Sequence, residues 1–145
     1  MENSFETAVD AIRFITGGKA LFTMQSEKTG AHFTFKVSQK DDDGTASPFF
    51  VNVLSGTDNT DWQAFTFIGH IKADGQSCLI AGRKGKPDAA SFKAFSWAWA
   101  HLNRGSIPEG LSIAHEGRCC RCNRVLTHPE SISSGIGPEC AKKGA

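Results

Sequence analysis

No stretch of this chain approaches the ~18 consecutive apolar residues of a membrane-spanning helix. Glu2 and Glu6 stand where a targeting peptide would carry basic residues. The expectation is a cytoplasmic protein with no membrane partner. Catalytic signatures are missing as well: there is no Gly-x-Ser-x-Gly elbow and no glycine-rich phosphate loop leading into Lys-Ser or Lys-Thr. The run from Gly82 to Lys86 lacks the Walker spacing and reads as a basic loop, and the 5 histidines are scattered over different elements. These gaps argue against an enzyme and leave no small-molecule substrate in view. No tyrosine accompanies the 11 phenylalanines. Cysteine is nearly absent from the body, where only Cys78 lies outside positions 119–140. With no secretion signal and an odd count of 5, a disulfide framework is disfavoured.

What is present describes a soluble globular domain plus a small appendage: 145 residues, 39% hydrophobic and 21% charged. Residues 3–16 carry Phe5, Ala8, Val9, Ile12 and Ile15 at helical spacing, with Asn3 and Glu6 as a capping pair and Gly17-Gly18 as the stop. Residues 20–26 and 32–38 alternate and read as a β-hairpin. A loop over 41–48 leads to a strand at 49–54, and segments 63–72 and 77–81 flank an Asp74-Gly75 turn. Five antiparallel strands are the simplest count. A helix from Asp88, as cap, to about Asn103 presents Phe92, Phe95, Ala98, Trp99 and Leu102 to one face of the sheet. Trp97 falls off that stripe, either seating the C-terminal tail or standing exposed for a partner. Packing is the commoner fate. Phe33, Phe35, Phe65 and Phe67 alternate on two strands; such faces can stack unpaired bases, although core packing is the more usual reason for the pattern. The expected fold class is α+β, an antiparallel sheet of about five strands packed with two helices. The body would span 1–110, and a zinc-knuckle or treble-clef-like module at 111–145 would dock on it.

The module rests on four residues, His115, Cys119, Cys122 and Cys140, spaced His-x3-Cys-x2-Cys-x17-Cys. Tetrahedral Zn2+ needs thiolate or imidazole ligands. A Cys-x2-Cys turn sets two sulfurs at about 2.3 Å from one ion, and later residues return the rest. Cys120 competes with Cys119 for the first position, but Cys120-x-Cys122 is too tight for the usual knuckle. His128 is the alternative to His115 as fourth ligand, and redox or disulfide thiols are the alternative to zinc. Thr127 and Glu130 form a capping box with Pro129 at a tolerated helix position. Residues 135–138 then break that turn, and Pro138 opens another whose start carries Cys140, where unpaired N–H groups favour thiolate. Four protein ligands would close the site, making it structural.

The string from His115 to Ala141, with its Cys-x2-Cys, Leu126-Thr-His-Pro129 and Gly135-Ile-Gly-Pro138-Glu-Cys140 elements, resembles the C-terminal motif of an uncharacterised family of small proteins. Its members are carried by bacteriophages, prophages and mobile elements. Stretches 18–23, 30–37 and 49–56 also resemble the longer members. The resemblance implies zinc, with Cys119, Cys122 and Cys140 as ligands, and a phage-type origin in a host-cell cytoplasm. It supplies no activity. Cys120 stands where that motif usually has glycine.

A net charge of +1 hides an asymmetry. Residues 1–82 hold 6 basic and 10 acidic side chains, a balance of −4; residues 83–145 hold 10 and 5, a balance of +5. Arg118, Arg121 and Arg124 surround the Cys-x2-Cys turn, and Lys142 and Lys143 follow Cys140. Such a cluster is suited to phosphates, although basic segments are also common on solvated surfaces. The leading expectation is a non-enzymatic accessory protein that binds nucleic acid through these five residues. The alternative is a protein-binding effector, anti-CRISPR-like or otherwise anti-defence, that inhibits a host defence or replication complex, its acidic loop at 41–43 facing a basic host surface.

Overall fold

The computed structural model describes residues 4–39, 48–54, 65–72, 79–81 and 89–120. Alternation of apolar and polar side chains sets the sheet. β1 (Lys19–Ser26) turns Ala20, Phe22 and Met24 inward, and β2 (His32–Gln39) turns Phe35 and Val37 the same way. The two pair antiparallel with Phe22 opposite Phe35. β3 (Phe49–Leu54) pairs with β2, placing Val51 opposite Val37, and β4 (Phe65–Ile71) completes an antiparallel meander. β5 (Leu111–His115) returns to the far side of β1, giving the order β4-β3-β2-β1-β5. With a side-chain period of two, this register gathers Phe22, Phe35, Val37, Val51 and Ile113 on one face, all fully buried.

Both helices cover that face. α1 (Ala8–Ile15) packs on β1, and α2 (Ala90–Asn103) packs on α1 and β4 while carrying the chain from one edge of the sheet to the other. A line of rings threads the layer between them: Phe14 meets Phe22 edge-on at 6.3 Å, Phe35 lies 5.2 Å from Phe95, and Phe95 stacks on Trp99 at 5.9 Å. The two helices and five antiparallel strands are the expected α+β body.

Several elements differ in detail from the sequence expectation. α1 begins after Thr7, whose side chain accepts the Asp10 N–H at 3.2 Å, and not at Asn3. Residues 4 and 5 are extended instead. Ser4 bridges to Ala114, and the Phe5 N–H donates to the Ile113 carbonyl at 2.8 Å, so pairing with β5 outcompetes another turn of helix. The buried stripe rotates accordingly to Ala8, Ala11, Phe14 and Ile15, leaving Val9 62% exposed. α2 is capped by Ala89, which makes no side-chain capping bond, in place of Asp88; its stripe of Phe95, Ala98, Trp99 and Leu102 is as expected. Trp97 is 50% exposed, its ring 5.1 Å from His101.

The fifth strand is the largest correction. Segment 77–81 was the expected partner of β4, but its described residues form only a bridge, Ile80 and His70 exchanging N–H···O bonds of 2.8 Å. The outer edge of β1 is filled instead by β5, because Ile113 and His115 alternate correctly to extend the buried face.

Candidate metal centre

Position 115 is the last residue of β5, opposite Phe22, with its side chain on the core side of the sheet. His115 is buried, and its ring sits 5.5 Å from Phe14 and 5.6 Å from Phe5. It thus continues the line of core rings at the end where α1 stops. Its Nδ1 accepts the Gly117 N–H at 2.9 Å. A nitrogen that accepts is unprotonated, so the neutral ring carries its proton on Nε2. Ligation of a metal through either ring nitrogen would displace the Gly117 amide, since Nε2 ligation moves the proton to Nδ1 and Nδ1 ligation takes the lone pair the amide now uses. His115 would enter a coordination sphere only with that local change.

Beyond β5 the chain folds back toward the start of β1. The Glu116 N–H donates to the Leu21 carbonyl at 3.2 Å, and the Cys120 carbonyl accepts the Lys19 N–H at 2.7 Å. These bonds pin residues 116–120 against the turn between α1 and β1. The turn is made by Gly17 and Gly18, the expected stop. Gly17 leaves room for a neighbour: a Cβ there would lie 2.8 Å from both the Cβ and the carbonyl oxygen of Cys120, with Cys120 Sγ closer still. Cys120 occupies the space a side chain at 17 would need.

The two adjacent cysteines therefore part company. Cys120 belongs to the apolar cluster with Phe14, Ile15 and Ala20. Cys119 is fully buried, and among the described residues it does not join that cluster. A thiolate ligand needs shelter from solvent but not an apolar wall on all sides, since an ion stabilises the sulfur's charge. Cys120 thus has a packing role. Sequence reasoning placed Cys119 first on spacing alone; it missed Gly17 as the receptor for Cys120, although the Gly-Gly pair was visible.

Among the described residues no three metal-ligating side chains converge. Cys122, Cys140 and the alternative ligand His128 lie outside the described residues, as do Arg121, Arg124, Lys142 and Lys143. Arg118, the described member of the basic set, is half-buried between Gly117 and Cys119. The structure thus brings together His115, Arg118, Cys119 and Cys120 at the junction of α1, β1 and β5.

Residues 111–143 match the model of a family described as a family of unknown function, DUF6011. The matched segment begins at β5 and includes all four candidate ligands and all five basic residues. The match fits the expectation of an uncharacterised family. No curated protein and no solved structure matches the chain. Among the described residues no helix is long and apolar enough to cross a membrane.

Proposed function

We propose that this chain is a small non-enzymatic accessory protein of phage type that binds nucleic acid, with its C-terminal segment folded around one structural Zn2+. Cys119, Cys122 and Cys140 supply thiolates and His115 the fourth ligand, His128 being the alternative. Arg118, Arg121, Arg124, Lys142 and Lys143 contact phosphate, and the ion holds them in register. The observation that carries the reading is the divergence of the neighbouring thiols, Cys120 into the apolar cluster beneath Gly17 and Cys119 into separate burial. The spacing of the cysteines and the +5 balance of the second half of the chain support it further.

Elemental analysis of protein purified without chelator tests the metal. The expected result is one zinc per chain, lost in Cys119→Ser, Cys122→Ser and Cys140→Ser and retained in Cys120→Ser. Comparing His115→Gln with His128→Gln assigns the fourth ligand. Metal-free wild-type protein would refute the reading. For the basic set, log affinity for a DNA duplex should fall linearly with log salt, and each lost phosphate contact should shallow the slope by about 0.9.

A second reading, a protein-binding effector directed at a host complex, draws on one observation. Trp97 stands half exposed on α2, and exposed tryptophan is the residue type most enriched at the energetic centres of protein interfaces. A stoichiometric partner captured from nuclease-treated host lysate by wild type and lost with Trp97→Ala would favour it.

A further inference from the structure

The sheet face turned away from α1 and α2 is uneven in chemistry. Near β5 and β1 it is polar: the Thr23 hydroxyl lies 2.8 Å from the Thr34 hydroxyl and donates to the Glu116 carboxylate at 2.8 Å. Near β3 and β4 it is aromatic. A shift of register between Val51 and Asn52 inserts Ile68 into β4. Such a bulge re-aims the residues on one side of it. Ile71 stays opposite inward-facing Phe49, but Phe67 pairs with Asn52 and Phe65 with Leu54, so both rings join Phe50 on the outer face. Phe50 is 38% exposed and its ring lies 6.2 Å from that of Phe67; Phe65 and Phe67 are half-buried. The ammonium of Lys36 sits 5.8 Å from the centre of the Phe65 ring.

Two features point to an occupant. The first is charge. The described charged residues on or bonded to this face include Lys19 and Lys36 and two acids, Glu27 and Glu116; both acids sit at the β1–β5 end, opposite the rings, where Glu116 accepts the Thr23 hydroxyl and Glu27 the Ser112 hydroxyl. The aromatic half thus carries a cation and, among the described residues, no acid. The second is the interleaving of rings with hydrogen-bonding groups. Asn52 pairs with Phe67, His70 and Ser38 both pair with Phe50, and Lys36 pairs with Asn52. A protein interface core is depleted of charge. A planar base, apolar on its faces, polar at its edge and joined to phosphate, matches this surface more closely.

We propose that the outer face of β2, β3 and β4 binds an unpaired nucleic-acid strand, with bases stacked on Phe50 and Phe67 and Lys36 directed at the backbone. The proposal shares its ligand class with the function proposed above but rests on none of the tail residues. Bases in a duplex are already stacked and are not available to these rings.

Fluorescence anisotropy with labelled pyrimidine oligomers, in DNA and RNA versions, tests it on the full chain. The comparison strands are an abasic oligomer of equal length and charge, and a duplex. Wild type should prefer the base-bearing strand over the abasic one by at least about tenfold. Phe50→Ala and Phe67→Ala should each lose about five- to hundredfold on the base-bearing strand and nothing on the abasic strand. Phe50→Leu, which keeps apolar bulk without the ring, should show the same loss at an unchanged melting temperature. Equal affinity for base-bearing and abasic strands overturns the proposal, as does Phe50→Leu binding like wild type. If binding is insensitive to bases but falls with Arg118→Ala and Lys142→Ala, the sheet face is refuted and the tail reading stands. Base-dependent binding that survives those two substitutions supports the sheet face and refutes the tail as the phosphate contact. Absence of binding by any strand rejects both.

Discussion

Gly17→Ala is the sharpest probe of how the C-terminal segment is mounted. Two effects oppose each other. The φ of Gly17 lies outside the left-handed region, so alanine meets no backbone strain. By restricting the unfolded chain it would ordinarily stabilise the protein by about 0.4–1 kcal/mol. Against this, its Cβ would sit 2.8 Å from the Cβ and the carbonyl oxygen of Cys120, and that carbonyl is held by the Lys19 amide at 2.7 Å. Forcing a methyl group into a packed site costs about 1–3 kcal/mol. The steric term wins, and the expected net destabilisation is about 0.5–2 kcal/mol, a fall of roughly 1–8 °C in Tm for a domain of this size. Urea and thermal melts followed by circular dichroism, run at one fixed zinc concentration and again in chelator, measure it. Adding Cys120→Gly removes Sγ and Cβ from the clash and should recover more than half of the loss relative to Cys120→Gly alone, a coupling of about 1 kcal/mol at the upper end of that range, against the about 0.3–0.5 kcal/mol scatter of independent sites. A Gly17→Ala protein as stable as wild type, or a cycle that is additive, would refute the packing described for Cys120.

Three further outcomes follow from the fold. Thr7→Ala removes the α1 cap and should cost about 1 kcal/mol in urea unfolding, whereas Asn3→Ala, at the position first expected to cap, should cost less than about 0.5 kcal/mol. Phe14→Ala, which empties the contact shared by Phe5, Phe22 and His115, should cost about 3–5 kcal/mol. Its histidine NMR signals should shift most at His115, and a shift confined to other histidines would contradict the ring contact. Trp97→Ala should leave Tm nearly unchanged, because half the side chain is already exposed; a loss beyond about 1 kcal/mol would mean that Trp97 packs on the protein itself.

Local pattern carried most of the body. β2 emerged at its expected position because alternation over 32–38 is unbroken, β3 because 49–54 is a short run of aromatic, β-branched and other apolar residues, and the stripe of α2 followed from spacing alone. The failures share a cause. Residues 4–5, 79–81 and 111–115 are short segments whose state is decided by which sheet edge is open to them, a tertiary fact that periodicity does not encode. The bulge at Ile68 is a further case: strict alternation gives Phe65, Phe67 and Ile71 a common face, and one inserted residue divides them. It also divides the four phenylalanines weighed for base stacking, since Phe35 is buried and Phe33 packs on the core while Phe65 and Phe67 face outward. At the candidate metal centre, spacing alone ranked Cys119 above Cys120, and the packing of Cys120 beside Gly17 was not legible in it. The Gly117 bond to His115 left no trace in sequence, because it depends on how the chain turns after β5.

The position of β5 has a consequence for the order in which the protein is made. β1 to β4 can pair one after another as they emerge from a ribosome, but the outer side of β1 must wait for a strand more than eighty residues downstream. Throughout that interval a nascent chain presents an unfilled hydrogen-bonding border, the feature most prone to mispairing with a neighbour. Ser4 and Phe5, synthesised ahead of all five described strands, must wait as well, because their docking site does not exist until residues 113 and 114 have arrived. A ribosome stalled just short of β5 would hold a half-built sheet, and the five residues of β5 act as the latch that ends its exposure.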